Sequence, residues 1–138
     1  MMENILEVLL SQHSILKKEV ANMKEEAEKS SPVLELILNY ENKFKNELIN
    51  HLNLENNVFY PQLLEKMKRQ GTDVTDTTKF IEKMKEIEKK VTEFFEKYAD
   101  IQNIKNNFEN FKNDLNNMIS TLLIRIESEE QGVYLYWQ

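Results

Sequence analysis

The sequence predicts an all-α protein, an antiparallel up-down-up-down four-helix bundle, on three observations. Apolar residues recur at intervals of three and four along four stretches, which puts them on one face of each helix. Glycine and proline number only two each, whereas folds built from strands need many tight turns. The commonest residues are Glu, Lys, Asn, Leu and Ile, and all of these except Asn are compatible with helices. Short connections then make neighbouring helices antiparallel.

The first two helices are predicted on either side of a Ser-Ser-Pro break. The first runs from about 3 to 28, and the second from about 32 to 69. The inward stripe of the second helix is predicted to continue through Val58 to Gln62. Pro61 lies inside this helix and is expected to kink it, because proline has no backbone N–H to donate.

The last two helices follow a loop that contains Gly71. The third is predicted from about 75 to 98, and a linker is predicted over 99–103. The inward stripe of the fourth runs over 104–129, and Gly132 marks its end. The apolar tail, 133–137, is expected to pack on the end of the bundle.

Length and composition narrow the class of protein. The 138 residues suit a single domain over 1–138. The net charge is −6 and lysines alternate with glutamates, so neither nucleic-acid binding nor electrostatic membrane attachment is expected. The absence of cysteine excludes disulfides, thiolate zinc sites and iron–sulfur clusters. The sequence has no membrane-length apolar run and no basic region before its first apolar residues, so a cytoplasmic protein is expected.

Polar residues interrupt the inward stripes, and charged groups are seldom buried unless they are paired or hold a metal. These residues are His13, His51, Glu55, Arg125 and Glu129. His51 and Glu55 are one helical turn apart, and His13 lies about as far before the first loop as His51 lies after it. The two imidazoles are therefore expected in one layer. Two imidazoles and two carboxylates suit a first-row metal such as Fe, Mn or Zn, and bundle interiors often hold such sites.

Three segments resemble the motifs of the hemerythrin-like, or HHE cation-binding, family. SQHSIL, over 11–16, is similar to its first-helix motif, in which a polar pair precedes a His. HLNLENNVFYP, over 51–61, is similar to the second-helix motif, a His, a Glu four residues later and an aromatic-Pro ending. RIESEEQGVY, over 125–134, resembles the last motif, His-x-x-x-Glu-Glu followed by an apolar-aromatic pair.

The chain departs from the family on one side of the expected site. The family has at least one His on its third helix, but the inward candidates here are Phe80, Met84 and Ile87. Arg125 stands where the family has a His on the fourth helix, and the chain has only two histidines in total. In the family, one iron takes the histidines of the first and second helices and a second iron takes the others. The resemblance therefore implies that every missing ligand belongs to one metal.

The resemblance implies a half-preserved metal site made of His13, His51, Glu55 and Glu129. A single iron is then favoured over two, with another first-row metal or no metal left open. Arg125 is predicted to replace the missing cation, because a guanidinium can neutralise the carboxylates and hydrogen-bond them. Family members bind or sense O₂, respond to iron or handle nitric oxide. Reversible O₂ carriage draws one electron from each of two irons, so a sensing or binding role for O₂, NO or iron is expected instead.

A second hypothesis is a metal-free bundle that acts as an interaction or regulatory module. His13 and His51 are then ordinary histidines bonded to Glu129 and Glu55, and Arg125 has replaced the metal charge outright. An enzymatic role is not favoured, because no nucleophile, phosphate-binding loop or substrate motif accompanies the constellation. The sequence leaves the protein partners and the oligomeric state open.

Overall fold

The computed structural model describes residues 5–137 and has no strand among them. The α-helices of this described part are α1 (Ile5–Ala27), α2 (Leu34–Leu54), α3 (Tyr60–Arg69), α4 (Thr75–Lys97), α5 (Ile101–Asn106) and α6 (Phe108–Gln131). A π-helical turn, Glu55–Phe59, joins α2 to α3, and a 3-10 helix, Val133–Trp137, follows α6. The all-α class is confirmed, although six α-helices stand where the sequence predicted four. The predicted start of the first helix, at residue 3, lies outside the described residues.

The fourth predicted helix is divided at Asn107, whose φ of −131° and ψ of 42° interrupt the helical backbone. The short helix α5 precedes this break and occupies most of the stretch that was predicted to be a linker. The linker prediction was wrong from residue 101 onward, because Asp100 caps a helix there. Its side chain accepts a hydrogen bond from the backbone N–H of Gln102 at 2.8 Å.

The second predicted helix is interrupted by the π-helical turn that lies just before Pro61. Proline clashes with the carbonyl four residues earlier, that of Asn57, and a π turn relieves this conflict by winding more widely. In the turn, the N–H of Tyr60 donates to the carbonyl of Glu55, five residues back. Because the π turn contains one more residue than an α-helical turn, the buried positions that follow it come one residue later in the chain, at Phe59 and Leu63. The predicted inward positions Val58 and Gln62 are half-buried and exposed respectively.

Two apolar clusters fill the interior. Between them lies a layer of buried polar side chains, called the polar layer below, which contains His13, His51, Glu55, Arg125 and Glu129. One cluster includes Leu16, Phe44, Phe94 and Phe111, and the other includes Leu9, Phe59, Leu63 and Tyr134. Helix α1 packs against α2 and α6, and α4 packs against α6. His13 follows Leu9 and precedes Leu16 on α1, so the polar layer is enclosed by apolar side chains on both sides. Among residues 5–137, no helix has the length and apolar character needed to cross a membrane.

The C-terminal segment turns sharply at Gly132, where α6 ends as predicted. A Cβ atom on Gly132 would lie 2.6 Å from the carbonyl oxygen of Ser128, so this turn requires glycine. Val133 and Tyr134 are buried after the turn, whereas the next two residues, Leu135 and Tyr136, are more than half exposed. The tail therefore packs through part of its length and brings Tyr134 into the interior.

Glu41 of α2 is a buried carboxylic acid outside the polar layer. Its side chain is 2% exposed, and within the described structure its Oε1 atom has no hydrogen-bond partner. Burial raises its pKa from 4.5 to about 8, and the charge of Lys45 opposes this only in part. The folded protein therefore keeps this proton over a pH range in which the unfolded chain has lost it.

We expect Glu41 to make the wild type less stable as the pH rises from about 4.5 to about 8. The folded state binds more protons than the unfolded state in this range, so the free energy of unfolding falls, by about 1.4 kcal/mol per pH unit at most. Glu41→Gln removes this dependence. The variant should match the wild type near pH 4 and exceed it by a few kcal/mol at pH 8, as measured by urea unfolding.

The control for this prediction is Glu65→Gln, which changes an exposed carboxylate on α3. Its stability should follow that of the wild type at every pH, since this side chain is exposed to solvent. A constant difference in stability between Glu41→Gln and the wild type from pH 4 to pH 8 would contradict the prediction.

Candidate metal centre

The structure brings the sequence-predicted polar residues together in one buried layer. His13 comes from α1, His51 from α2, Glu55 from the start of the π turn, and Arg125 and Glu129 from α6. Arg125 is the most exposed of them, at 3%. Each of the two histidines and two glutamates offers one ligand atom, and these atoms all lie within 4.8 Å of one another.

Each imidazole has a hydrogen-bond acceptor at its Nδ1 atom, on the side away from the centre of the layer. The Nδ1 atom of His13 lies 2.7 Å from Oε2 of Glu130, and Nδ1 of His51 lies 2.6 Å from Oε1 of Gln12. An ionised carboxylate and an amide oxygen only accept hydrogen bonds, so each Nδ1 carries a hydrogen and donates a hydrogen bond. Both Nε2 atoms are thereby left to face the centre of the layer, with 3.1 Å between them.

A positive charge is favoured between these Nε2 atoms. His13 Nε2 lies 3.1 Å from Oε1 of Glu129, and His51 Nε2 lies 3.3 Å from Oε1 of Glu55. Burial opposes the charged form of His51, but the hydrogen bonds and charges of Glu129 and Glu55 prevail and raise its pKa to about 9. Without a cation between them, two facing nitrogen lone pairs would repel each other. The position therefore suits either a proton or a metal ion.

The two carboxylates each turn one oxygen to the histidines and have other partners as well. Burial and the charge of Glu129 raise the pKa of Glu55. Burial acts in the same direction on Glu129, but hydrogen bonds from Glu55, His13 and His51, together with the charge of Arg125, hold the pKa of Glu129 well below its usual range. The two acids are thus inequivalent, with the negative charge concentrated on Glu129.

Arg125 lies against both carboxylates. Its Nη2 atom donates to Oε1 of Glu55 at 2.9 Å, and its Nε atom lies 3.6 Å from Oε2 of Glu129. Its Nη1 atom donates to the backbone carbonyl of Met84 at 3.4 Å. Helix α4 therefore meets this layer through the backbone oxygen of Met84, one of the three inward candidates on the helix where the resemblance implied a histidine.

Sequence reasoning missed two tyrosines that complete the layer. Tyr60 donates to Oε2 of Glu129 at 2.6 Å, and Tyr134 donates to Oε2 of Glu55 at 2.8 Å. Burial and the neighbouring carboxylates raise the pKa of both phenols, so the hydroxyl groups keep their protons and donate. Tyr60 lies five residues after Glu55, a spacing that reaches the same face only across a π turn. Tyr134 lies beyond the end of α6, where helical periodicity gives no signal. The available signal was that both tyrosines stand in the segments that resemble the family's motifs.

Sequence reasoning also missed the groups behind the imidazoles, Gln12 and Glu130. Each adjoins a predicted site residue in the chain, and adjacent residues on a helix normally face different directions. The side chains of Gln12 and Glu130 reach across to the neighbouring helix instead. The available signal was the polar character of the residues next to His13 and Glu129.

The donor atoms fit a first-row metal ion. Two imidazole Nε2 atoms directed inward, and two carboxylates at hydrogen-bond distance from them, form a nitrogen and oxygen donor set of the kind these metals prefer. The acceptors behind each ring are what metal-binding histidines usually have, since they orient the ring and increase its basicity. The fold and this layer together define a helical protein with a candidate cation-binding centre.

Comparison with known families identifies this class more closely. Residues 4–136 match the hemerythrin HHE cation binding domain, so the chain belongs to this family, as its motifs predicted. The match covers nearly the whole chain and includes all the residues of the polar layer. No curated protein and no solved structure gave a significant match.

Proposed function

We propose that this protein binds one first-row metal ion, iron by its family membership, through His13, His51, Glu55 and Glu129. The observation that carries the proposal is the pair of Nε2 atoms that face each other across 3.1 Å, while each Nδ1 atom is held by an acceptor. His13 and His51 would hold the ion through their Nε2 atoms and would give up any proton there, because metal ligation requires neutral histidine.

The position of Arg125 supports one metal ion and not two. The guanidinium contacts Glu55 and Glu129 and reaches the Met84 carbonyl, on the side of the site that α4 covers. A second cation there would meet this fixed positive charge and would find no histidine, because both histidines of the chain serve the first ion. Arg125 therefore supplies the charge that a second metal supplies elsewhere in the family.

A single iron supports sensing or binding of O₂, NO or iron better than reversible O₂ transport. A bound iron ion supplies a redox-active centre that can take a small diatomic molecule as a ligand. The chain's own residues hold that ion and exclude water, since apolar side chains lie on both sides of the polar layer. Arg125 offsets part of the charge of the carboxylates, and the two tyrosine hydroxyls orient them by donating hydrogen bonds.

The alternative function is a metal-free interaction or regulatory module. One observation favours it: Glu55 and Glu129 already have an arginine, two tyrosines and two histidines as partners. A proton on His51 then takes the place of the metal ion. In this case the polar layer is a buried ion cluster that specifies helix pairing.

We also infer that these six α-helices form the four antiparallel helical segments of the bundle that the sequence predicts. Helices α2 and α3 continue through the π turn, and α5 and α6 are separated by Asn107 alone. These two pairs, together with α1 and α4, make four helical segments in an up-down-up-down bundle.

The test of the proposal is the metal content per chain after loading with ferrous iron under anaerobic conditions. The wild type should retain one iron per chain, and His51→Ala should retain none. Asn50→Ala, an exposed neighbour on the same helix, is the matched control and should bind like the wild type. Two irons in the wild type would contradict the role of Arg125. If the wild type retains none, and Arg125→His restores none, the metal-free alternative is favoured.

A further inference from the structure

Tyr134 reaches the metal centre from outside the α-helices. Its Oη atom lies 2.8 Å from Oε2 of Glu55 and 3.2 Å from Nε2 of His13, so it touches two of the candidate ligand groups. Its ring stacks on that of His13, with 5.4 Å between centroids and 11° between planes. The side chain is 3% exposed. The phenol oxygen thus belongs to the cluster of donor atoms itself.

Distances within the cluster place Tyr134 among the donors of one ion. First-row metals bind nitrogen and oxygen ligands at about 2.0–2.2 Å, so the donors of a single ion lie about 3 Å from one another. The Oη atom of Tyr134 meets this condition toward both His13 and Glu55. Tyr60, by contrast, donates to the outer oxygen of Glu129, and the described structure gives it no hydrogen bond to either imidazole.

The segment that carries Tyr134 is anchored at several points. The turn at Gly132 leaves no room for a Cβ atom, and the ring of Phe59 packs edge-on against Tyr134 at 5.2 Å. Trp137 packs on Phe59, and its carbonyl oxygen accepts a hydrogen bond from Lys66. These contacts hold the phenol oxygen in place before any metal ion enters, which lowers the cost of using it as a ligand.

The buried charges favour a phenolate when the bound ion is trivalent. When they ligate a metal as carboxylates, Glu55 and Glu129 bring two negative charges, and Arg125 brings one positive charge. With both histidines neutral, a trivalent ion leaves two positive charges in this group, one more than a divalent ion leaves. A phenolate removes one of them, and uncompensated charge is costly in a buried site.

We propose that Tyr134 is a further ligand of this metal centre and that it binds a trivalent ion, ferric iron, as a phenolate. On binding a ferric ion, Tyr134 would release its phenolic proton to solvent and would no longer donate a hydrogen bond to Glu55, with no electron transferred. This inference rests on the proposed metal binding by His13, His51 and the two glutamates. It gives the C-terminal segment a role in closing the site and in favouring the ferric state.

The test is the visible absorption and resonance Raman spectrum of protein loaded with ferric nitrilotriacetate. Ferric phenolate centres are coloured, so the wild type should show a charge-transfer band in the visible range and enhanced tyrosinate vibrations. Tyr134→Phe should lose both signals while it retains one iron per chain. Tyr60→Phe removes the other buried phenol of the layer, and the iron that it retains should still give both signals.

Each result decides for or against this ligand. An iron-loaded wild type without tyrosinate vibrations overturns the inference and leaves the proposed metal site standing. Signals that persist in Tyr134→Phe, or that vanish in Tyr60→Phe while it retains iron, also overturn it. If Tyr134→Phe fails to hold iron, tyrosinate vibrations in both the wild type and Tyr60→Phe still assign the ligand to Tyr134. A wild type that binds no iron defeats the proposed function, and this inference with it.

Discussion

Replacing Arg125 with methionine is expected to lower the free energy of unfolding of the metal-free protein by about 3–5 kcal/mol. Glu55 and Glu129 are fully buried, and the guanidinium contacts both. Methionine keeps an unbranched side chain in the same space but leaves these carboxylates without their fixed positive charge. Urea unfolding in the presence of a chelator measures the loss.

Two further measurements show whether the loss comes from charge. Arg69→Met removes the other arginine of the chain, which is exposed on α3, and should change stability little. Zinc should stabilise Arg125→Met more than the wild type, because a bound cation restores part of the missing charge. If Arg125→Met without metal were as stable as Arg69→Met, the guanidinium would not be what stabilises the buried carboxylates.

Phe59→Ala is expected to lower the free energy of unfolding by about 3–5 kcal/mol and to loosen the C-terminal segment. Phe59 is fully buried at the end of the π turn. Its ring packs against Tyr60, Tyr134 and Trp137, so the cavity would open beside both hydroxyl donors of the polar layer. Hydrogen exchange should become faster at 133–137 than the global loss of stability requires.

Phe111→Ala is the matched control for this prediction. Phe111 is equally buried but belongs to the other apolar cluster, where it packs against Phe94 and Tyr98. We expect a similar loss of stability without selective exchange at 133–137. Equal exchange profiles for the two variants would show that Phe59 does not hold the C-terminal segment in particular.

Helical periodicity predicted much of the polar layer because α1, α2 and α6 are regular up to the site. His13, His51, Arg125 and Glu129 lie on inward positions of such helices, so spacings of three and four were enough to select them. The inward positions predicted from periodicity were wrong just after Glu55. The π turn moved the inward face by one residue, which buried Phe59 and exposed Gln62.

The sequence by itself determined the helical class, the family and the residues that interrupt the apolar stripes. These features depend on local spacing and on motifs within single helices. Only the tertiary structure decided that Tyr134 joins Glu55, and that Gln12 and Glu130 orient the imidazoles. Those contacts join α1, α2, the π turn, α6 and the tail after Gly132. Their formation depends on how these segments pack together, which no periodicity within one segment encodes.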